Sequence, residues 1–122
     1  MKPWFVLGAI GLALGVVAGA FGAHGLKARL DADALALWET AVRYWFVASV
    51  GACLLGLAFD RLAPGPAQAA GFCLEIGALI FSGTVAVLAL GGPRWLGAVT
   101  PIGGTLMIVA FGLMAWAAAR GR

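Results

Sequence analysis

Residues 4–23 read WFVLGAIGLALGVVAGAFGA. The stretch carries no charge, and about twenty apolar residues is the length an α-helix needs to cross a hydrocarbon core of about 30 Å. With Lys2 ahead of it and small residues throughout, it also has the outline of a secretory signal. The apolar part of such a signal runs only to roughly 7–15 residues, so length favours a transmembrane helix. Three runs of the same kind follow at 41–59, 69–90 and 101–119; the second holds Arg43 near its start and the third holds Glu75. The reading is therefore all-α: an integral membrane four-helix transmembrane bundle, one domain spanning residues 1–122.

Composition supports lipid as the solvent of the fold. Apolar residues make up 63% of the chain and charged residues 11%, against roughly 45–50% and about 25% in soluble domains. A soluble core of this size has no room for that excess. The 19 glycines fit the same view, because small residues let membrane helices approach closely. The net charge of +3 comes from eight scattered Lys and Arg residues. They form no basic stripe, so no nucleic-acid partner is expected. Cys53 and Cys73 both fall inside apolar runs, which argues against a secreted disulfide framework and for thiols that act as small apolar side chains.

Between the runs stands helix punctuation. Gly25 follows the first run as a stop, and Asp31 or Asp33 is placed to cap a lead-in helix from about residue 34. Glu39 and Arg43 are spaced as a helical ion pair. DRLAPGPAQ, residues 60–68, reads as a turn broken by Pro64, Gly65 and Pro66. Gly91, Gly92 and Pro93 end the third helix, and Thr100 with Pro101 is expected to open the fourth. The first loop suits a short interfacial helix. Trp4 and Trp116 at one membrane face, and Trp38, Trp45 and Trp95 at the other, predict an aromatic belt. Basic residues are nearly balanced between the faces; setting aside Arg43 places both termini in the cytoplasm.

Few residues offer chemistry. Gly11, Gly15 and Gly19 make two overlapping GxxxG steps, a stripe for close helix contact inside the chain or with another subunit. His24 stands at the end of the first helix without a second histidine, so no haem or metal site is expected. A helix-end hydrogen bond is its ordinary role. Glu75 lies six residues into the third run, about 9 Å from its near end, where Lys2, Arg61 or Arg120 is expected to pair with it. Ser82 is seven residues on, on the same face. No nucleophile–base pair, phosphate loop or cofactor fingerprint is present, so no enzyme is expected.

Three segments carry a resemblance: GAFGAHGL at 19–26, TAVRY at 40–44, and FSGTVAVLAL with VTPIGG at 81–90 and 99–104. In this order they resemble the YgdD family of small four-helix membrane proteins, the domain-of-unknown-function family four-two-three, which includes an animal transmembrane-protein branch. The resemblance implies an inner (plasma) membrane protein with no agreed activity and no cofactor. Residues 22–25, Tyr44, residues 81–83, and Thr100, Pro101, Gly103 and Gly104 match its signatures. The chain departs from it at Trp45 and Ala48, where the family usually has Gln and His, and at Glu75, where an apolar residue is expected.

His24, Tyr44, Ser82 and Thr100 are expected to gather as a polar cluster under the first loop. Two functions follow from this reading. The first is a non-enzymatic accessory or scaffold protein acting through the glycine stripe, in a homo-oligomer or a larger membrane complex. The second is a protein that binds lipid, quinone or another small ligand, or an oligomeric transporter, using Glu75 and the His24 region. Membrane lipids are partners in either.

Overall fold

The computed structural model of the chain describes residues 2–121, and these form helices and turns without a strand. Four helices dominate: α1 (Lys2–His24), α2 (Ala32–Ala58), α3 (Pro64–Ala89) and α4 (Leu96–Arg120). Each is long and apolar enough to cross a membrane. Backbone groups that water cannot reach must be satisfied within the helix, and continuous α-helix does that.

Local chemistry sets the helix ends. Asp31 caps α2, its carboxylate accepting from the Ala34 amide at 2.8 Å, and α2 runs from there without a break into the apolar run. At the end of α3 Gly91 takes φ 93°. The Gly92 and Gly91 amides then donate to Val87 and Leu88 carbonyls at 2.8 and 3.1 Å, which satisfies the last turn in a Schellman arrangement. The first loop holds a short 3₁₀ helix, Leu26–Ala28, with Leu26 buried.

Two boundaries differ from expectation, both at proline. The turn expected over 60–68 is confined to Phe59–Arg61 and the two residues after it, and α3 begins at Pro64. Proline in a first helical turn lacks only an amide that has no helical partner there, so Pro64 and Pro66 start the helix rather than break it. Conversely, α4 starts at Leu96, and Pro101 lies inside it rather than at its opening. Bonds from the Leu96, Gly97 and Ala98 amides to carbonyls three residues earlier wind the chain into α4.

The helices pack in chain order, α1 on α2, α2 on α3 and α3 on α4. The seam of α1 on α2 is set by Trp4, Gly8, Gly11, Gly15, Ala18 and Gly22, spaced alternately by four and three as in a coiled coil. A Cβ on Gly8 would stand 2.6 Å from the Ser49 carbonyl, one on Gly15 2.7 Å from the Phe46 ring and one on Gly22 2.6 Å from the Trp38 ring. Gly19 is off this seam, 3.7 Å from Val42 by the same measure. The α3–α4 seam has the same character, Gly77 and Gly103 lying backbone to backbone.

Side-chain cores fill one end and the middle. At the end holding both termini, Trp4, Leu55, Phe59, Leu62, Ala63, Ala67 and Ala117 bury one another, so all four helices meet there. The Ala63 amide donates to the Ala117 carbonyl at 3.0 Å, tying the start of α3 to the end of α4. In the middle, Ala48, Ala52, Leu74, Ala78, Met107 and Ala110 join α2, α3 and α4 only.

Candidate functional site

The consequence of that packing is a gap. Trp4 bridges α1 to α3 at the terminal end: its Nε1 donates to Gln68 Oε1 at 3.0 Å, its ring stands edge-on to Phe72 at 5.1 Å, and Gly71 makes room for it. Beyond it the two helices leave an open space between them. An open-sided groove of about 190 Å³ lies there, walled by Leu14 and Ala18 of α1 and by Leu79 and Gly83 of α3, and floored by Trp38 and Trp45 of α2. That is below the roughly 300–1,000 Å³ typical of small-molecule sites, so an occupant would extend past the groove's open side.

The groove surface is apolar because its polar atoms are tied to backbone. Trp38 Nε1 donates to the Ala18 carbonyl at 2.9 Å and Trp45 Nε1 to the Gly11 carbonyl at 2.7 Å. Ser82 Oγ donates across helices to the Ala41 carbonyl at 2.8 Å. A polar group left unmade in hydrocarbon is costly, so these side chains turn to the nearest carbonyls. The two indoles thereby fix α1 against α2 while forming the floor of the groove.

The aromatic belt is therefore partly corrected. Trp4 is 4% exposed and is a core residue, and Trp38 and Trp45 are half-buried wall. Only Trp95 and Trp116 are exposed, at 65% and 57%, and Arg120 lies over the Trp116 ring at 5.9 Å.

The expected polar cluster is replaced by separate devices. His24 is exposed at the end of α1 and its side chain makes no hydrogen bond to a described residue. Its place favours the negative end of the helix dipole. Tyr44 lays its ring edge-on against Phe81 at 5.1 Å, in a second apolar groove between α2 and α4 that also involves Gly104, Met107 and Phe111. Ser82 serves the α2–α3 contact. Thr100 Oγ1 donates to the Leu96 carbonyl at 3.1 Å and lies 2.6 Å from Thr84 Oγ1, joining α4 to α3. No hydrogen bond joins any two of His24, Tyr44, Ser82 and Thr100 among the described residues. The first loop shows no role as their cap, because each of the three inner groups meets a neighbouring helix instead.

Glu75 is also placed differently. Because α3 begins at Pro64, Glu75 is eleven residues in, about 16 Å along the axis at helical rise, near the middle of the helix. It is half-buried and makes neither a hydrogen bond nor an ion pair with any described residue. The pairing expected with Lys2, Arg61 or Arg120 is not formed, since that depth is beyond their reach from the helix ends. Glu39 and Arg43 likewise form no ion pair. Both cysteines are free thiols.

Of the glycine stripe, Gly11 and Gly15 face α2 within the chain, with Gly8 and Gly22. That face is covered and is not available to another subunit. Sequence reasoning missed Trp38 and Trp45 as groove residues and Thr84 as the partner of Thr100. The recurrence of Trp38, Val42 and Trp45 on one α2 face was the available signal for the first two.

Comparison with known proteins agrees with this architecture. A family described as "Protein of unknown function (DUF423)" matches residues 18–104. The chain is 35% identical over 121 residues to the UPF0382 membrane protein YwdK of Bacillus subtilis, covering 98% of both chains. It is 39% identical over 111 residues to a UPF0382 membrane protein of Staphylococcus haemolyticus, covering 91% of this chain and 90% of the relative. No solved structure matches it. The resemblance seen in the GAFGAHGL, TAVRY and FSGTV segments is borne out: four apolar membrane-crossing helices and near full-length relatives make this chain a member of the DUF423 family of small membrane proteins, a family without an assigned function.

Proposed function

We propose that this is a non-enzymatic membrane protein that seats an apolar chain, drawn from the surrounding lipid, in the groove between α1 and α3. The observation that carries the reading is the groove itself: an open, apolar surface whose Trp38, Trp45 and Ser82 polar atoms are all tied to backbone carbonyls. A chain moving from bilayer into such a groove gains little from leaving water. It is held by close packing, as membrane helices are held to one another. The accessory-subunit reading has less support, because the stripe that motivated it is covered by α2. The same proposal puts the protein in the inner (plasma) membrane with both termini on the cytoplasmic side, which the near-balanced basic residues favour once Arg43 is set aside.

Native mass spectrometry of protein released gently from its own membranes tests this. One retained lipid per chain is expected. Gly83→Phe fills the groove, since a side chain there meets nothing within 4 Å, and should lose that lipid. Gly112→Phe, on an equally open position of α4 outside the groove, should keep it. Equal lipid retention by both variants, or none by the unaltered protein, would remove the proposal.

A further inference from the structure

We infer that Glu75 and the α1–α3 groove together form a site for a lipophilic cation, its apolar body in the groove and its positive centre at the carboxylate. The apolar half of this inference rests on the groove reading above; the charged half rests on Glu75 independently.

Position comes first. On α3, Phe72 meets Trp4 of α1, and Leu79 lines the groove opposite Leu14 of α1. Glu75 is three residues after the first and four before the second, so it shares their helical face. It therefore stands between the Trp4 bridge and the groove, about 6 Å along the axis from Leu79. Ser82, one turn beyond Leu79, is on the same stripe and also lines the groove.

Charge comes second. A carboxylate midway along a helix that crosses a membrane is expensive unless something opposite meets it. Among the described residues nothing does. Lys2, Arg61 and Arg120 stand at the terminal end of the bundle, and Lys27, Arg29 and Arg94 at the loops of the other end. Arg43 is also well inside its helix, eleven residues from the start of α2, but it is exposed and forms no ion pair with Glu75. A neutral lipid chain would leave the carboxylate as it is, and an anion would be repelled. A ligand that brings its own positive charge cancels the cost, and a delocalised or alkylated cation is the kind that dissolves in hydrocarbon at all.

The floor of the groove fits the same class. Trp38 and Trp45 supply indoles, the aromatic groups best suited to cations. Their N–H groups are held by α1 carbonyls, so the rings are fixed before any ligand arrives, which lowers the cost of binding. The carboxylate is thus one helical turn from Leu79, which lines the groove with Trp45 and Trp38.

The test is equilibrium binding of labelled tetraphenylphosphonium to the full chain in nanodiscs of neutral phospholipid, with the lipid-retention measurement run on the same samples. Saturable binding is expected, at least tenfold weaker in Glu75→Gln and better retained in Glu75→Asp, with lipid retention unchanged by either. No saturable binding, or equal binding by Glu75→Gln, overturns the inference; if lipid is still retained, the groove reading survives it. If Gly83→Phe keeps cation binding while Glu75→Gln loses it, the groove has no part in the cation site and the inference as stated is overturned, whereas the lipid reading is judged by lipid retention alone.

Discussion

The two ends of this bundle solve the same packing problem in opposite ways. At the terminal end Trp4 inserts between α1 and α3, Gly71 yields space for it, and a closed core forms around them. At the other end tryptophans are again present, but on α2. Trp38 and Trp45 bind α1 through their N–H groups and leave the α1–α3 gap unfilled. One residue type thus closes one end and floors an opening at the other, depending on which helix carries it. In lipid an unfilled gap costs little, because hydrocarbon chains can occupy it, whereas a gap in a soluble core would lose its contacts outright.

The sharpest way to break that contrast is Trp4→Ala. It should open the terminal end as well and cost about 3–5 kcal/mol, as for other large aromatic truncations. Reversible unfolding in sodium dodecyl sulfate, followed by circular dichroism, reads it; a loss below about 1 kcal/mol would mean that the end is closed by something other than Trp4. Trp45→Phe comes next. It keeps the ring but removes the donor to the Gly11 carbonyl, and about 1 kcal/mol is expected. Cysteine crosslinking between α1 and α2 should loosen in step, and unchanged crosslinking would show that the indole N–H does not position α1.

Ser82→Ala removes the bond to the Ala41 carbonyl. Interhelical hydrogen bonds in membranes average about 0.6 kcal/mol, and the same unfolding assay should show a change of that order while lipid retention persists. A loss several times larger would make Ser82 a determinant of the groove rather than one contact among several. The smallest effect is expected at His24→Ala, within about 0.5 kcal/mol, because the side chain is exposed and without a described partner. A marked loss of stability there would reveal a role for the first loop that its geometry does not show.

How much was legible depended on how local the cause was. The Gly91–Gly92 stop acts within a few residues and could be read directly, and the cap of α2 was narrowed to Asp31 or Asp33, of which Asp31 serves. The start of α3 was misread because Pro64 and Pro66 look alike whether they end one element or begin the next; Ala63 bonding to Ala117 of α4 helps fix the answer. That misreading also placed Glu75 six residues into the third helix, whereas it is eleven residues into α3. The glycine stripe was visible as GxxxG, but its true register, Gly8, Gly11, Gly15 and Gly22 without Gly19, required knowing which side chains of α2 it meets. Thr84 gave no sign of its partner, since Thr100 lies on another helix.

By itself the sequence determined four membrane-crossing helices, their approximate spans, the family, and the poverty of catalytic groups. Those follow from run length, composition and motif order, which are properties of neighbours along the chain. Only the tertiary structure decided that Gly8, Gly11, Gly15 and Gly22 face α2, that Trp4 is core while Trp38 and Trp45 are wall, and that Glu75 pairs with no described residue. Each of these depends on which helix faces which. In lipid the hydrophobic pattern does not encode that choice, because every face of these helices is apolar and close packing alone selects the neighbours.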